Sequence, residues 1–194
     1  ADPSKNMEIL EKLKDDEADY VCKSVANHLN DIAKDHADLV IEFCNRNNSN
    51  TKQRKTLIKQ ALRTLIKQGN ADALAVIGFT ADNSMSLEFT LANNKIKWNT
   101  GIEFSLSIEG KSDQPVLIDY VIYYQKSNGK QNPKVFKWRE GTLDKHGKLS
   151  ITGKQSFKQV TTRKHYAGAH KIAILVNGVE FDFEEKATFE LLEE

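Results

Sequence analysis

Ten side chains between Asn27 and Lys67 are of types and spacings that could grip a nucleic acid. Asn27, His28, Asn30, Asp31 and Lys34 come first, then Arg54, Lys55, Lys59, Arg63 and Lys67. Lys and Arg make charge-assisted bonds to phosphate, and amide and imidazole groups add bonds that fix a register on the backbone. At helical spacing Lys23, Asn27, Asn30 and Lys34 fall opposite an apolar stripe of Val25, Leu29 and Ile32, and Ser24, His28 and Asp31 flank it. Arg54, Lys59, Arg63 and Lys67 read as one broad basic face, with Lys55 beside it. The competing reading is structural: Asn27, His28 and Asp31 cap or bridge neighbouring helices. No other chemistry is spelled out. A glycine-rich phosphate loop, a nucleophile elbow and Cys/His zinc spacing are all lacking, so no metal or cofactor is expected. His165 and His170 read as structural, and the Gly-Lys pairs at Gly110, Gly129, Gly147 and Gly153 read as turns.

The elements that must position these residues are two copies of one helical pattern between Tyr20 and Phe79. Sliding the first copy by 33 places lays Val25 on Ile58, Leu29 on Leu62, Ile32 on Leu65 and Lys34 on Lys67. One inserted residue, Gly69, then aligns His36-Ala37-Asp38 with Asn70-Ala71-Asp72. Each copy reads as a helix, a short break and a second apolar helix, the pattern of an α-solenoid of HEAT or armadillo type. The spans expected are 20–34, 36–45, 54–68 and 71–77, with a loop over Asn45–Gln53. A further helix over 6–14 reads as the end of an earlier repeat. Equivalent positions of successive repeats line a solenoid's concave surface, so Asn30/Arg63 and Lys34/Lys67 would form rows there.

The segments from Val25 to Asp31 and from Ala61 to Leu65 resemble the C-terminal repeats of AlkC-type DNA glycosylases, HEAT-like proteins that excise alkylated bases. Some members carry an immunoglobulin-like domain after the repeats. The resemblance implies a C-terminal portion of such an enzyme, acting on double-stranded DNA with alkylated bases. It also implies that acidic and aromatic groups hold the cationic base. Asp31 is the one acid in the matching motif and so the single catalytic candidate, a carboxylate that would stabilise positive charge or position water. Cys22 stands where the family tends to carry a basic residue, and no tryptophan precedes Trp98.

Composition sets the outer bounds. The 194 residues are 39% hydrophobic and 28% charged, as in an ordinary globular protein, and no run is long and apolar enough to span a membrane. Two cysteines in helical segments suggest reduced thiols and a cytoplasmic setting. Ala1-Asp2-Pro3-Ser4 has no initiator methionine and reads as a cut or an added remnant. The net charge of +1 conceals segregation: Arg46–Lys67 contains no acid, and Lys126–Lys171 contains only Glu140 and Asp144. Acids gather at Asp15–Asp19 and after Glu180. Such segregation suits a polyanionic partner.

Beyond Thr80 the period changes from 3.6 to 2. Ile102, Phe104, Leu106 and Ile108 alternate with polar residues, as do Val116, Ile118, Tyr120, Ile122 and Tyr124. Strands are also expected over 134–138, 148–152 and 171–176, and Asn177-Gly178 signals a two-residue hairpin. Seven or so short strands describe a β-sandwich of immunoglobulin type, with Tyr166–His170 as the corner before its strand F. The expected fold is therefore α+β in two domains: a HEAT-like fragment over 1–80 and an immunoglobulin-like sandwich over 81–194. Two functions follow. One is a DNA-binding portion of an alkylation-repair glycosylase, incomplete for catalysis; the other is a non-enzymatic adaptor that binds protein.

Overall fold

The computed structural model describes residues 3–159 and 164–193. It divides into two compact units, Ala1–Thr80 and Ala81–Glu194.

The first unit contains six helices among its described residues: α1 (Ser4–Leu13), α2 (Asp19–Ile32), α3 (Ala37–Arg46), α4 (Lys52–Ala61), α5 (Arg63–Lys67) and α6 (Ala71–Val76). α2 packs on α4 and α3 on α6, so the two sequence copies stack element on element. Equivalent positions share burial: Val25 with Ile58, Leu29 with Leu62, Val40 with Leu74. Buried alanines at 26, 33, 61 and 73 let the backbones approach closely. Thr51 caps α4 through a bond from the Arg54 amide, and Asn70 caps α6 through a bond from the Ala73 amide at 2.9 Å. Gly69, at φ 74°, makes the left-handed turn between α5 and α6.

One expected helix, 54–68, differs. It is interrupted at Leu62, whose φ of −93° and ψ of 3° end α4 and begin α5. Such a break leaves amides at the start of α5 without intrahelical acceptors, and another helix supplies one, as described below.

The second unit holds nine strands among its described residues. β1 (Ser86–Leu91), β3 (Gly101–Glu109) and β6 (Lys148–Ser156) form one sheet in the order β1-β3-β6. β2 (Lys95–Ile96), β4 (Pro115–Gln125), β5 (Gln131–Thr142), β7 (Gly168–Val176), β8 (Val179–Phe181) and β9 (Thr188–Leu191) form the other. Its order is β2-β9-β7-β4-β5, with β8 on β7. The alternation read in Ile102–Ile108 and Val116–Tyr124 places Phe104, Leu106, Ile118, Tyr120 and Ile122 in one shared core. β1, β2 and β9 are additional to the strands expected from the sequence, and a 3-10 turn at Glu184–Ala187 leads into β9. Asn177 and Gly178 take φ values of 49° and 83°, the pair of left-handed residues that a tight hairpin needs. Asn177 does more than turn the chain: its side chain accepts from Leu117 N at 2.7 Å and donates to Pro115 O at 3.1 Å, tying the hairpin to β4.

Both cysteines are free and buried. Burial pushes the Cys44 thiol up to about 12, so it stays protonated. Cys22 Sγ lies 3.3 Å from Asp16 O and accepts from Gln53 Nε2 at 3.4 Å, pinning the turn before α2. No helix among the described residues is long and apolar enough to cross a membrane.

Candidate nucleic-acid interface

The polar residues of α2 meet the α4–α5 junction along one seam. The apolar stripe of α2 runs through Cys22, Val25, Ala26 and Leu29, and Asn30 lies on its shoulder. Asn30 is only 2% exposed, and its Oδ1 accepts from the Thr64 amide at 3.1 Å. Thr64 is the second residue of α5, so Asn30 satisfies one of the amides freed by the break at Leu62. This corrects the sequence expectation that Asn30 would join Arg63 in a surface row. The buried amide is committed to the helix junction.

Asn27, one turn earlier, is exposed and faces the same junction. Its Oδ1 accepts from Gln60 Nε2 at 3.0 Å and from Arg63 NH1 at 3.2 Å. Arg63 NH1 also donates to Gln60 O at 2.9 Å. Gln60 was not singled out from the sequence; a glutamine on a polar face carries no signal until the opposite helix is in place.

Asp31 and Lys34 pair at 2.7 Å, with side chains 65% and 57% exposed. The bond from Lys34 holds the Asp31 carboxyl below its ordinary value, assisted by the charges of Lys34, Arg63 and His28. Asp31 is therefore ionised, wet and already paired. His28 is exposed on the same helix, and Lys55, Arg63 and Lys67 are exposed on α4 and α5; Lys59 is half-buried.

Arg54 is the second correction. It is 8% exposed and pairs with Asp15, at the turn between α1 and α2. At 100° per residue Arg54 shares a stripe of α4 with Leu57, Ile58 and Ala61, all buried. Its NH1 is buried without a hydrogen-bond partner. Arg54 is thus an internal tie, unavailable to a backbone phosphate.

In the β unit the basic run is partly balanced. Lys137 pairs with Glu140, Lys148 with Glu109 and Lys154 with Glu103, each at 2.7 Å, and Lys171 with Asp182. Arg163 lies outside the described residues. His165 and His170 pack among Tyr124, Phe157 and Phe189, in keeping with a structural role. No group of three or more potential metal-ligating side chains occurs among the described residues.

Residues 86–193 match the family described as Uncharacterised protein YhaZ, C-terminal Ig-like domain. The chain belongs to that family. It is 41% identical over 179 residues to the Uncharacterized protein YhaZ of Bacillus subtilis (strain 168), an alignment covering 92% of this chain and 50% of that protein. Its fold follows that of the Pseudomonas fluorescens alkylpurine DNA glycosylase AlkC bound to DNA containing an abasic site analog. That likeness has a TM-score of 0.88 and 37% identity, over 99% of this chain and 54% of the glycosylase chain. The chain spans about half the length of each. The resemblance read from Val25–Asp31 and Ala61–Leu65 therefore extends through both units.

Proposed function

We propose that this chain is the DNA-binding portion of a DNA alkylation repair glycosylase, with double-stranded DNA containing alkylated bases as its partner. The observation that carries the reading is the likeness to AlkC over 99% of the chain, at 37% identity, in a complex with DNA. On this reading α2 to α6 are two HEAT-like repeats, the setting is cytoplasmic, and the α2/α4/α5 face meets the backbone. Lys34, Lys55, Arg63 and Lys67 are exposed there and suited to phosphate.

The same face supports binding better than bond cleavage. A carboxylate stabilises a cationic transition state most in a dry, low-dielectric site. Asp31 is bathed in water and paired with Lys34, so its field is screened. Excision therefore calls on groups beyond those of this face. The test uses the chain as it stands, with an alkylated duplex and a duplex carrying an abasic-site analogue. Salt-sensitive binding to both, with negligible release of methylated bases, is expected. Absence of duplex binding would overturn the DNA reading and favour the adaptor; robust excision would overturn the assignment as a binding portion.

A further inference from the structure

The seam between α2 and α4 holds Arg63 in a way that decides which of its donors are left for a ligand. NH1 carries two hydrogens, and it has two acceptors, Asn27 Oδ1 at 3.2 Å and Gln60 O at 2.9 Å. Asn27 Oδ1 also accepts from Gln60 Nε2 at 3.0 Å, so two donors converge on that oxygen and fix the orientation of the amide. The opposite edge of the guanidinium, Nε and NH2, has no hydrogen-bond partner among the described residues. That edge presents two parallel N–H groups, the fork that matches two oxygens of one phosphate.

The neighbouring carboxylate does not close the fork. Asp31 lies near enough for Arg63 to help depress its pKa, but among the described residues it forms no ion pair with Arg63, and its Oδ1 is bonded by Lys34 at 2.7 Å. The backbone beneath Arg63 is fixed as well, because Asn30 Oδ1 accepts from the next amide, Thr64 N, at 3.1 Å. Arg63 is thus anchored through its main-chain neighbour by Asn30 and through its side chain by Asn27 and Gln60. A long side chain already held in one geometry loses less rotamer freedom when it binds.

We infer that Asn27 and Gln60 are positioning residues that orient Arg63 so that its Nε–NH2 fork grips one phosphodiester of bound DNA. The inference rests on the DNA-binding reading of this face. It differs from the expectation that Asn27 touches DNA itself, since it gives Asn27 the work of orienting Arg63 through its Oδ1. Gln60 enters the site only through this arrangement.

A double-mutant cycle separates the two levels. Affinity for a labelled short duplex carrying an abasic-site analogue is measured at several salt concentrations, with melting temperature as a control. The proteins are the parent, Arg63→Ala, Asn27→Ala and the double variant. Arg63→Ala should weaken binding on the order of tenfold and reduce the salt slope by about 1, as expected for one lost charged contact. Asn27→Ala should weaken it roughly threefold at unchanged melting temperature, and should cost nothing further once Arg63 is gone. An equal loss from Asn27→Ala in both backgrounds would mean that Asn27 contacts DNA directly, and would overturn the inference. No loss from Asn27→Ala in the parent would overturn it too, while leaving Arg63 as a DNA contact. If Arg63→Ala itself changes nothing, the DNA-binding reading of this face fails first and the inference falls with it.

Discussion

The helical unit and the β unit use their large side chains in opposite ways. The buried cluster of the helices contains one aromatic ring, Phe43, among alanines, leucines and isoleucines, with both cysteines. The buried cluster of the β unit contains Phe89, Phe104, Tyr120, Tyr124, Phe157 and Phe189, with Trp98 and Trp138 packed against it. Small residues let α2 approach α4 closely, so polar side chains on the two helices meet across the seam at the surface. In the β unit the rings face inward and one another: Phe104 meets Tyr120 edge-on at 5.1 Å and Trp138 at 4.9 Å. The lesson is a division of labour. Changes to the exposed side chains of the helical seam should alter binding at little cost in stability, and changes inside the sandwich should do the reverse.

The largest expected effect lies in the sandwich. Phe157 is fully buried and touches Tyr124, His165, His170 and Phe189. Phe157→Ala should cost about 3–5 kcal/mol. Urea unfolding followed by tryptophan fluorescence would measure this in the β unit alone, because both tryptophans, Trp98 and Trp138, are there. Unchanged fluorescence midpoints would mean that the ring cluster around Phe157 does not hold the β unit together.

The helical unit has one internal tie that should behave like a core residue despite its charge. Asp15→Ala would strand the buried Arg54 guanidinium, whose NH1 already lacks a partner. The expected loss is about 1–2 kcal/mol, less than for a fully buried pair because Asp15 is 63% exposed. Adding Arg54→Leu should recover part of it, since an apolar residue suits that stripe. Helical circular dichroism during unfolding would record both changes.

A smaller effect concerns pH. His170 is fully buried, and burial pulls its imidazole below the ordinary value of 6.5; the bond between Nδ1 and Gly168 O opposes this only in part. A folded-state value below the unfolded one means the unfolded chain binds more protons in acid. The stability contributed by neutral His170 is therefore complete above about 6.5 and is lost as pH falls below it. Asp82, Asp144 and Asp182 are held below the ordinary carboxylate range by their hydrogen bonds and keep their charge through this window. Fluorescence-monitored stability should decline from pH 7 to 5, and His170→Leu should flatten that decline. A slope identical in the two proteins would exclude His170 as its source.

The smallest effect belongs to the exposed helical seam. Asp31→Asn removes an exposed negative charge from the seam and frees Lys34. Duplex affinity should rise about twofold at low salt, with stability unchanged within error. A fall in affinity would mean that Asp31 takes part in holding DNA.

Much of this arrangement could be read in the chain before folding. The change of period near Thr80, the 33-residue slide of the helical pattern and the Asn177-Gly178 turn each have a local physical cause, and each appears in the fold. What stayed hidden depended on the second helix of a pair. The expectation that Arg54 joins Arg63 on one broad basic face fails because its spacing from Leu57, Ile58 and Ala61 places it on the buried stripe of α4. The burial of Asn30 is invisible in the sequence because the Thr64 amide lacks an acceptor only when α5 starts afresh at Arg63. Gln60 gave no signal by type or spacing. β1 is legible in the alternation of Leu87, Phe89 and Leu91 with polar residues, while β2, with two residues, is too short to show a period.

On the proposed function, the exposed cations of the helical seam hold the DNA backbone. Salt-dependent binding of an abasic-site duplex to the parent and to the Arg63→Glu/Lys67→Glu double variant tests it most directly. A loss on the order of a hundredfold at low salt is expected, with a salt slope shallower by about 2, one for each phosphate contact removed. Equal affinity and equal slope in the two proteins would contradict it.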